Sequence, residues 1–216
     1  MTQYSLMDAK PVSPKASSPF GEDTQRYWDN RHELFTKWDE GIQCDRVGLF
    51  SVKPEAIALH TAKQLPGDLV LDAFCGVGGS AIGFARMGKR VVTCDLSAER
   101  LAMAKHNATL YGVADAIEFI HADIFEVMTA RKFDAISLDP AWGGPDYYRK
   151  PEFHLADFSP DGRQLLERAL AITPNVALSL PKNFVLSELV PYADAFRIEK
   201  SSAHGRVLFL TAYFGS

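Results

Sequence analysis

Residues 137–147, Ser-Leu-Asp-Pro-Ala-Trp-Gly-Gly-Pro-Asp-Tyr, join groups that could do chemistry on a flat ring. An apolar run from Phe133 to Leu138 stops at Asp139-Pro140, then delivers Trp142 and a Gly/Pro turn. Pro140 has no N–H for a sheet ladder, so the backbone is released where the run ends. A carboxylate followed by a broad aromatic at such a point suits an enzyme that grips a conjugated base. A strand ending in an ordinary turn over a packed Trp would read the same way, so the stretch needs partners elsewhere.

A second group runs Leu71-Asp72-Ala73-Phe74-Cys75-Gly76-Val77-Gly78-Gly79. Its glycines let a ligand come close to the backbone. Gly76, Gly78 and Ala81 satisfy G-x-G-x-x-A, and Asp95 follows about 20 residues on, as in a nicotinamide dinucleotide loop. Asp72 argues against that reading, because a carboxylate before the first glycine repels a pyrophosphate. His121-Ala122-Asp123 adds a third acid. Acids closing three successive strands suit S-adenosylmethionine, whose sulfonium and ammonium are both cationic.

The elements that must position these groups follow from periodicity and caps. Residues 1–22 carry Pro11, Pro14 and Pro19 among Ser and Lys, and read as a disordered tail. From 23 to 38, Tyr27, Trp28, Arg31, Leu34, Phe35 and Trp38 recur at helical spacing, and a second helix opens at Pro54 and runs to Gln64. Residues 23–65 thus form a small N-terminal helical subdomain, with its aromatics expected mainly in core packing. Beyond Pro66-Gly67, strands at 69–73, 90–94, 117–121, 133–138 and 175–180 alternate with helices at 79–87, 97–111 (Ser97 as N-cap) and after Ser159, Pro160 and Asp161 as N-cap, first residue and first-turn acid. Strands at 195–199 and 206–214 are joined too closely for a crossover and must pair antiparallel. Residues 66–216 are therefore expected to build an α/β domain. Its seven-stranded, mostly parallel, Rossmann-like sheet closes with a C-terminal antiparallel hairpin, the layout of class I methyltransferases.

Composition narrows the partners. The 216 residues are 47% hydrophobic, enough for one good core. No apolar run approaches the ~20 residues of a membrane span. Three cysteines without CxxC spacing argue against a disulfide framework and against a metal site. A net charge of −4 gives no basic surface for gripping long nucleic acid, so any such substrate must be recognised locally.

Asp139-Pro140-Ala141-Trp142 resembles the Asn/Asp/Ser-Pro-Pro-aromatic signature of methyltransferases that act on planar exocyclic amines. Around it, Tyr27-Trp28 with Arg31, Asp39-Glu40-Gly41-Ile42, Phe50-Ser51-Val52 with Pro54-Glu55, the Asp72–Gly79 loop, Pro140-Ala141-Trp142-Gly143-Gly144-Pro145-Asp146-Tyr147, Ser159-Pro160-Asp161-Gly162, Leu180-Pro181-Lys182-Asn183 and Thr211-Ala212-Tyr213-Phe214-Gly215 resemble the trimethylguanosine synthase family over roughly residues 23–215.

The resemblance implies methylation of the N2 amine of a 7-methylguanosine cap on small nuclear and nucleolar RNA, by a nuclear or cytoplasmic monomer needing neither metal nor membrane. It implies Asp139, Pro140 and Trp142 as catalytic residues. The cofactor would lie on Asp72, Phe74, Gly76, Gly78, Asp95, Asp123, Ile124, Ser51 and Val52. The capped RNA would meet Trp142, Asp139, Lys182, Asn183 and Arg206, with Arg149 and Lys150 as further phosphate candidates. A 7-methylated guanine is cationic, so stacking on Trp142 gains ~0.5–2 kcal/mol of cation–π attraction. A ribosomal RNA guanine-N2 methyltransferase and a non-catalytic cap-binding protein are the alternatives. Two positions depart from the family: Asp139 stands where Ser or Asn is usual, and Ala141, which is expected to loosen the turn, where Pro is usual.

Overall fold

The computed structural model describes residues 2–5, 16–203 and 206–215. Strands β1 (Thr2–Ser5), β2 (Leu69–Asp72), β3 (Arg90–Asp95), β4 (Ile117–His121), β5 (Ala135–Leu138), β6 (Val176–Leu180), β7 (Phe196–Ala203) and β8 (Arg206–Phe214) form one sheet. Its spatial order is β1-β7-β8-β6-β5-β2-β3-β4. Strands β2 to β6 pair in parallel, and β8 runs antiparallel between β6 and β7. The seven strands from Leu69 onward match the sheet expected from sequence, terminal hairpin included.

The eighth strand corrects the reading of residues 1–22 as a tail. Thr2–Ser5 pairs parallel with Glu199–Ser202, so it covers an edge that β7 would otherwise leave open. Extended pairing of four residues leaves no periodic signature against a Pro- and Ser-rich background. Residues 6–15 of that segment lie outside the described residues.

Successive residues of each strand face opposite layers. Leu71, Val92, Ile136 and Leu178 pack with α7 (Ile124–Ala130) and α8 (Gly162–Ile172). Val70, Val91, Ala135 and Ala177 face α4 (Glu55–Gln64), α5 (Gly79–Arg86) and the end of α6 (Ala98–Leu110). Every residue of β5 and β6 is buried, which is why those runs are apolar but for Ser137 and Ser179 rather than alternating.

Two helix boundaries differ from expectation. The segment 23–38 is not one helix but α1 (Gln25–Asp29) and α2 (Arg31–Leu34), separated by Asn30. The Asn30 side-chain amide donates back to the Arg26 carbonyl at 2.8 Å, and the Asn30 backbone leaves the helical well. Helix α8 is capped by Asp161, not Ser159; its carboxylate accepts from the Arg163 and Gln164 amides. By contrast Ser97 caps α6 as read, accepting from the Arg100 amide.

The N-terminal segment is bolted to the sheet domain by a buried carboxylate. Glu55, in the first turn of α4, accepts from the Thr36 amide and hydroxyl, from Tyr111 at 2.5 Å and from Arg86 at 2.5 Å. Burial works to raise this carboxyl, but Tyr111, Thr36 and Arg86 together hold it below the usual carboxylate range.

Strand β2 lies between β3 and β5, so the chain winds outward one way from β2 and the other way from β5. The crevice beyond the carboxyl ends of β2 and β5 is the topological switch point, where open α/β sheets take their ligands.

Candidate active site

A cavity of about 1180 Å³ opens at that switch point. Its floor is the set of strand ends: Ala73 to Val77 after β2, Asp95 to Ser97 after β3, Ala122 to Ile124 after β4, and Asp139 to Trp142 after β5. Its roof comes from Arg26, Tyr27, Asn30 and Leu34, and from residues 49–54, which follow through α3 (Arg46–Ser51). Phe35 and Trp38 turn into the core instead, with Trp28 packed edge-on against Trp38, so of these aromatics Tyr27 is the one that lines the cavity.

One half of the cavity is lined by ordered carboxylates. Asp95 accepts from the Gly76 amide at 2.9 Å and the Ser97 amide at 2.9 Å, which locks the glycine loop to the end of β3. Asp123 caps α7 through the Phe125 amide at 2.8 Å, with Ile124 beside it on the wall. Gly76 has a φ of 50° and open space where a side chain would lie, so the loop presents bare backbone to the cavity. Gly79 serves packing: a Cβ there would come within 2.4 Å of Val52.

The other half is aromatic. Trp142 meets Tyr147 edge-on at 5.0 Å and Phe209 at 6.4 Å, and all three line the cavity. Ala141, expected to loosen this turn, instead fixes it. Its N–H donates to the Ser159 carbonyl at 3.2 Å, and the Ser159 N–H donates back at 3.0 Å. A proline at position 141 could not make the first of these bonds.

Between the halves lies a buried charge cluster. Lys53, 4% exposed, places Nζ 3.6 Å from Asp139 Oδ2. Asp72 is fully buried beneath, accepting from the Thr93 hydroxyl at 3.1 Å through Oδ2. Its Oδ1 is buried without a hydrogen-bond partner among the described residues. Burial pushes the Asp72 carboxyl up to about 7 against the pull of Lys53, and raises Asp139 for the same reason.

Most residues expected from sequence meet at this cavity: Ser51, Val52, Phe74, Gly76, Asp95, Asp123, Ile124, Asp139, Pro140, Trp142, Lys182 and Arg206. Five do not fit as direct contacts. Asp72 lies below the wall. Gly78 packs against α6, where a Cβ would meet Ala104 at 3.1 Å. The Asn183 amide donates to the Lys150 carbonyl and stands off the cavity. Arg149 pairs with Asp146, and Lys150 with Asp157 at 2.6 Å, both outside it. Lys53, Phe209 and Arg26 were missed. Phe209 and Arg26 sit in no motif that spacing would single out, while Lys53 lies inside the Phe50–Glu55 block and gains its meaning only from Asp139, on another element.

The sheet order, the glycine loop and the acids at the ends of β3 and β4 define a class I methyltransferase. The residues present fit S-adenosylmethionine: Asp95 and Asp123 offer acceptors on the wall, and bare backbone at Gly76 leaves room beside them. The family model of RNA cap guanine-N2 methyltransferases matches residues 67–216. The trimethylguanosine synthase of Schizosaccharomyces pombe is 35% identical over 187 residues, covering 82% of this chain and 78% of its own. That of Saccharomyces cerevisiae is 34% identical, covering 76% of this chain and 56% of its own. A crystal structure described as a methyltransferase from Porphyromonas gingivalis W83 shares the fold, with a TM-score of 0.67 at 20% identity over 88% of this chain and 48% of that one. The chain belongs to the RNA cap guanine-N2 methyltransferase family, and S-adenosylmethionine is its cofactor.

Proposed function

We propose that the enzyme methylates the N2 amine of the 7-methylguanosine cap of small nuclear and nucleolar RNA, in the nucleus, with residues 23–65 closing over the cap. The observation that carries this reading is the shared cavity, with Asp95 and Asp123 on one wall and Asp139, Pro140 and Trp142 on the other. Asp95, Asp123 and Ile124 would hold the adenosine of S-adenosylmethionine, and Ser51 and Val52 its methionine end.

The guanine amine is a poor nucleophile, because its lone pair is delocalised into the ring. The donor supplies a methyl carbon on a sulfonium, so the C–S bond breaks with its electron pair left on sulfur as the N2–C bond forms. Trp142 holds the cationic base by stacking, and Tyr147 and Phe209 brace Trp142 edge-on. Asp139 accepts a hydrogen bond from N2–H, aims the nitrogen, and takes its surplus proton after transfer. Most of the rate comes from holding two bound reactants in line. Lys182 and Arg206 on the wall answer the cap's phosphates.

The test is mass spectrometry of 7-methyl-GTP and GTP incubated with S-adenosylmethionine and enzyme. Methyl groups are expected on the 7-methylated nucleotide alone. Trp142→Ala is expected to lower kcat/KM about 100-fold, since a base stacked on an aromatic is worth ~1–3 kcal/mol and the cation adds to it. Equal methylation of GTP would refute cap selectivity, and undiminished product from the variant would refute stacking on Trp142.

A further inference from the structure

Lys53 is a lysine almost wholly withdrawn from water. Burying an ammonium is costly unless something compensates it. The compensation comes from Asp139 Oδ2 at 3.6 Å, from the Asp72 carboxylate below, and from the face of Phe209 at 5.9 Å. The backbone at Lys53 is equally constrained: a Cβ on Gly79 would come within 3.0 Å of the Lys53 carbonyl. Pro54 follows directly and favours an extended chain before it. The lysine therefore reaches the cavity from a fixed point, and its head lies at the junction of the cofactor and base walls.

We propose that Lys53 is a positioning residue that works as one unit with Asp139, holding that carboxylate ionised and aimed at the N2 amine. The proposal rests on the cap-methylation reading above. Three groups from three elements face Asp139: Lys53 ahead of α4, Asp72 at the end of β2, and Ser179 on β6. Asp72 repels it, and Ser179 carries no charge. Lys53 is thus the cation among them; it pulls both carboxyls down, and without it the burial that raises Asp72 and Asp139 is opposed by no charge, so each takes a proton more readily. A protonated Asp139 neither attracts a cationic base nor accepts the proton from N2. A buried cation opposite it is the complement that makes the Asp139 charge tenable.

A double-mutant cycle tests this on 7-methyl-GTP, with Lys53→Met, Asp139→Asn and the pair together. Lys53→Met is expected to lower kcat/KM about 100-fold, because it strands a buried charge. Asp139→Asn costs about tenfold, chiefly in kcat, because Asn still accepts a hydrogen bond but takes no proton. The double variant recovers at least tenfold over Lys53→Met. The acid limb of the rate profile moves to higher pH in Lys53→Met, as the ionised carboxylate loses its cation, and vanishes in the double variant. Lys53→Arg keeps the charge, and retains the wild-type limb even where Lys53→Met is poorly folded. Losses that multiply, or an acid limb that stays in place, overturn the unit. Wild-type enzyme that leaves 7-methyl-GTP unmethylated overturns both the unit and the reading beneath it.

Discussion

Glu55 and Asp139 are both carboxylates drawn into the same small interior, and their surroundings treat them in opposite ways. Glu55 receives donors from Thr36, Tyr111 and Arg86, and these outweigh the cost of its burial. Asp139 and its neighbour Asp72 share one ammonium, so burial wins and both carboxyls are raised. The difference separates what holds the molecule together from what waits for a ligand. A satisfied network is finished when the chain folds. A starved one gains its missing partners when cationic ligands arrive.

The largest effect should come from breaking the satisfied side. Glu55→Ala strips the acceptor from Thr36, Tyr111 and Arg86 at once. It should cost about 3 kcal/mol, as for a buried pair that loses one partner. Denaturant unfolding measures it. A loss under about 1 kcal/mol, within the range of a surface ion pair, would show that the N-terminal segment is held by apolar packing alone.

A smaller effect sharpens the contrast, because the two carboxylates impose opposite pH slopes. Glu55 has a depressed folded pKa, so its contribution is complete above the unfolded value and fades as pH falls through the folded one. Asp72 is raised to about 7, so between that value and the ordinary range near 4 the folded state binds more protons than the unfolded chain. Its penalty is therefore relieved as pH falls from 7 toward 4, and free-enzyme stability should rise over that window. Asp72→Asn should flatten the rise, and saturating S-adenosylmethionine should shrink it by supplying cations. Equal slopes in wild type and variant would mean that Asp72 is not the titrating group.

The same contrast governs what the sequence could reveal. Asp95 and Asp123 were legible because each ends an apolar strand with a helix signal after it, a pattern contained within a few residues. Ser97 was legible as a cap for the same reason. Lys53 and Phe209 were not, since their meaning lies in a partner on another element: Asp139 for one, Trp142 for the other. Asp72 was read correctly as an acid at a strand end and wrongly as a direct contact. Strand-end position does not say whether a side chain faces the cavity or lies under it. The strand at Thr2–Ser5 was hidden because its pairing partner, not its composition, makes it a strand.

The smallest predicted effect concerns the turn at Ala141. Two contributions oppose each other in Ala141→Pro. The substitution removes the N–H that donates to Ser159, a bond worth ~1 kcal/mol net. It also stiffens the unfolded chain, worth ~0.4–1 kcal/mol where the backbone tolerates proline. Stability should therefore stay within about 0.5 kcal/mol of wild type, because the two terms nearly cancel. Cap binding should not cancel in the same way. Trp142 is anchored through its neighbour's two hydrogen bonds, and losing one lets the indole shift against Tyr147. Quenching of tryptophan fluorescence by 7-methyl-GTP should show affinity weakened about two- to threefold, less than the worth of one full hydrogen bond. Tighter binding would mean that ring stiffness, not the bond to Ser159, holds the aromatic in place. Alanine at this position would then be a loss the enzyme carries rather than an alternative way of fixing the turn.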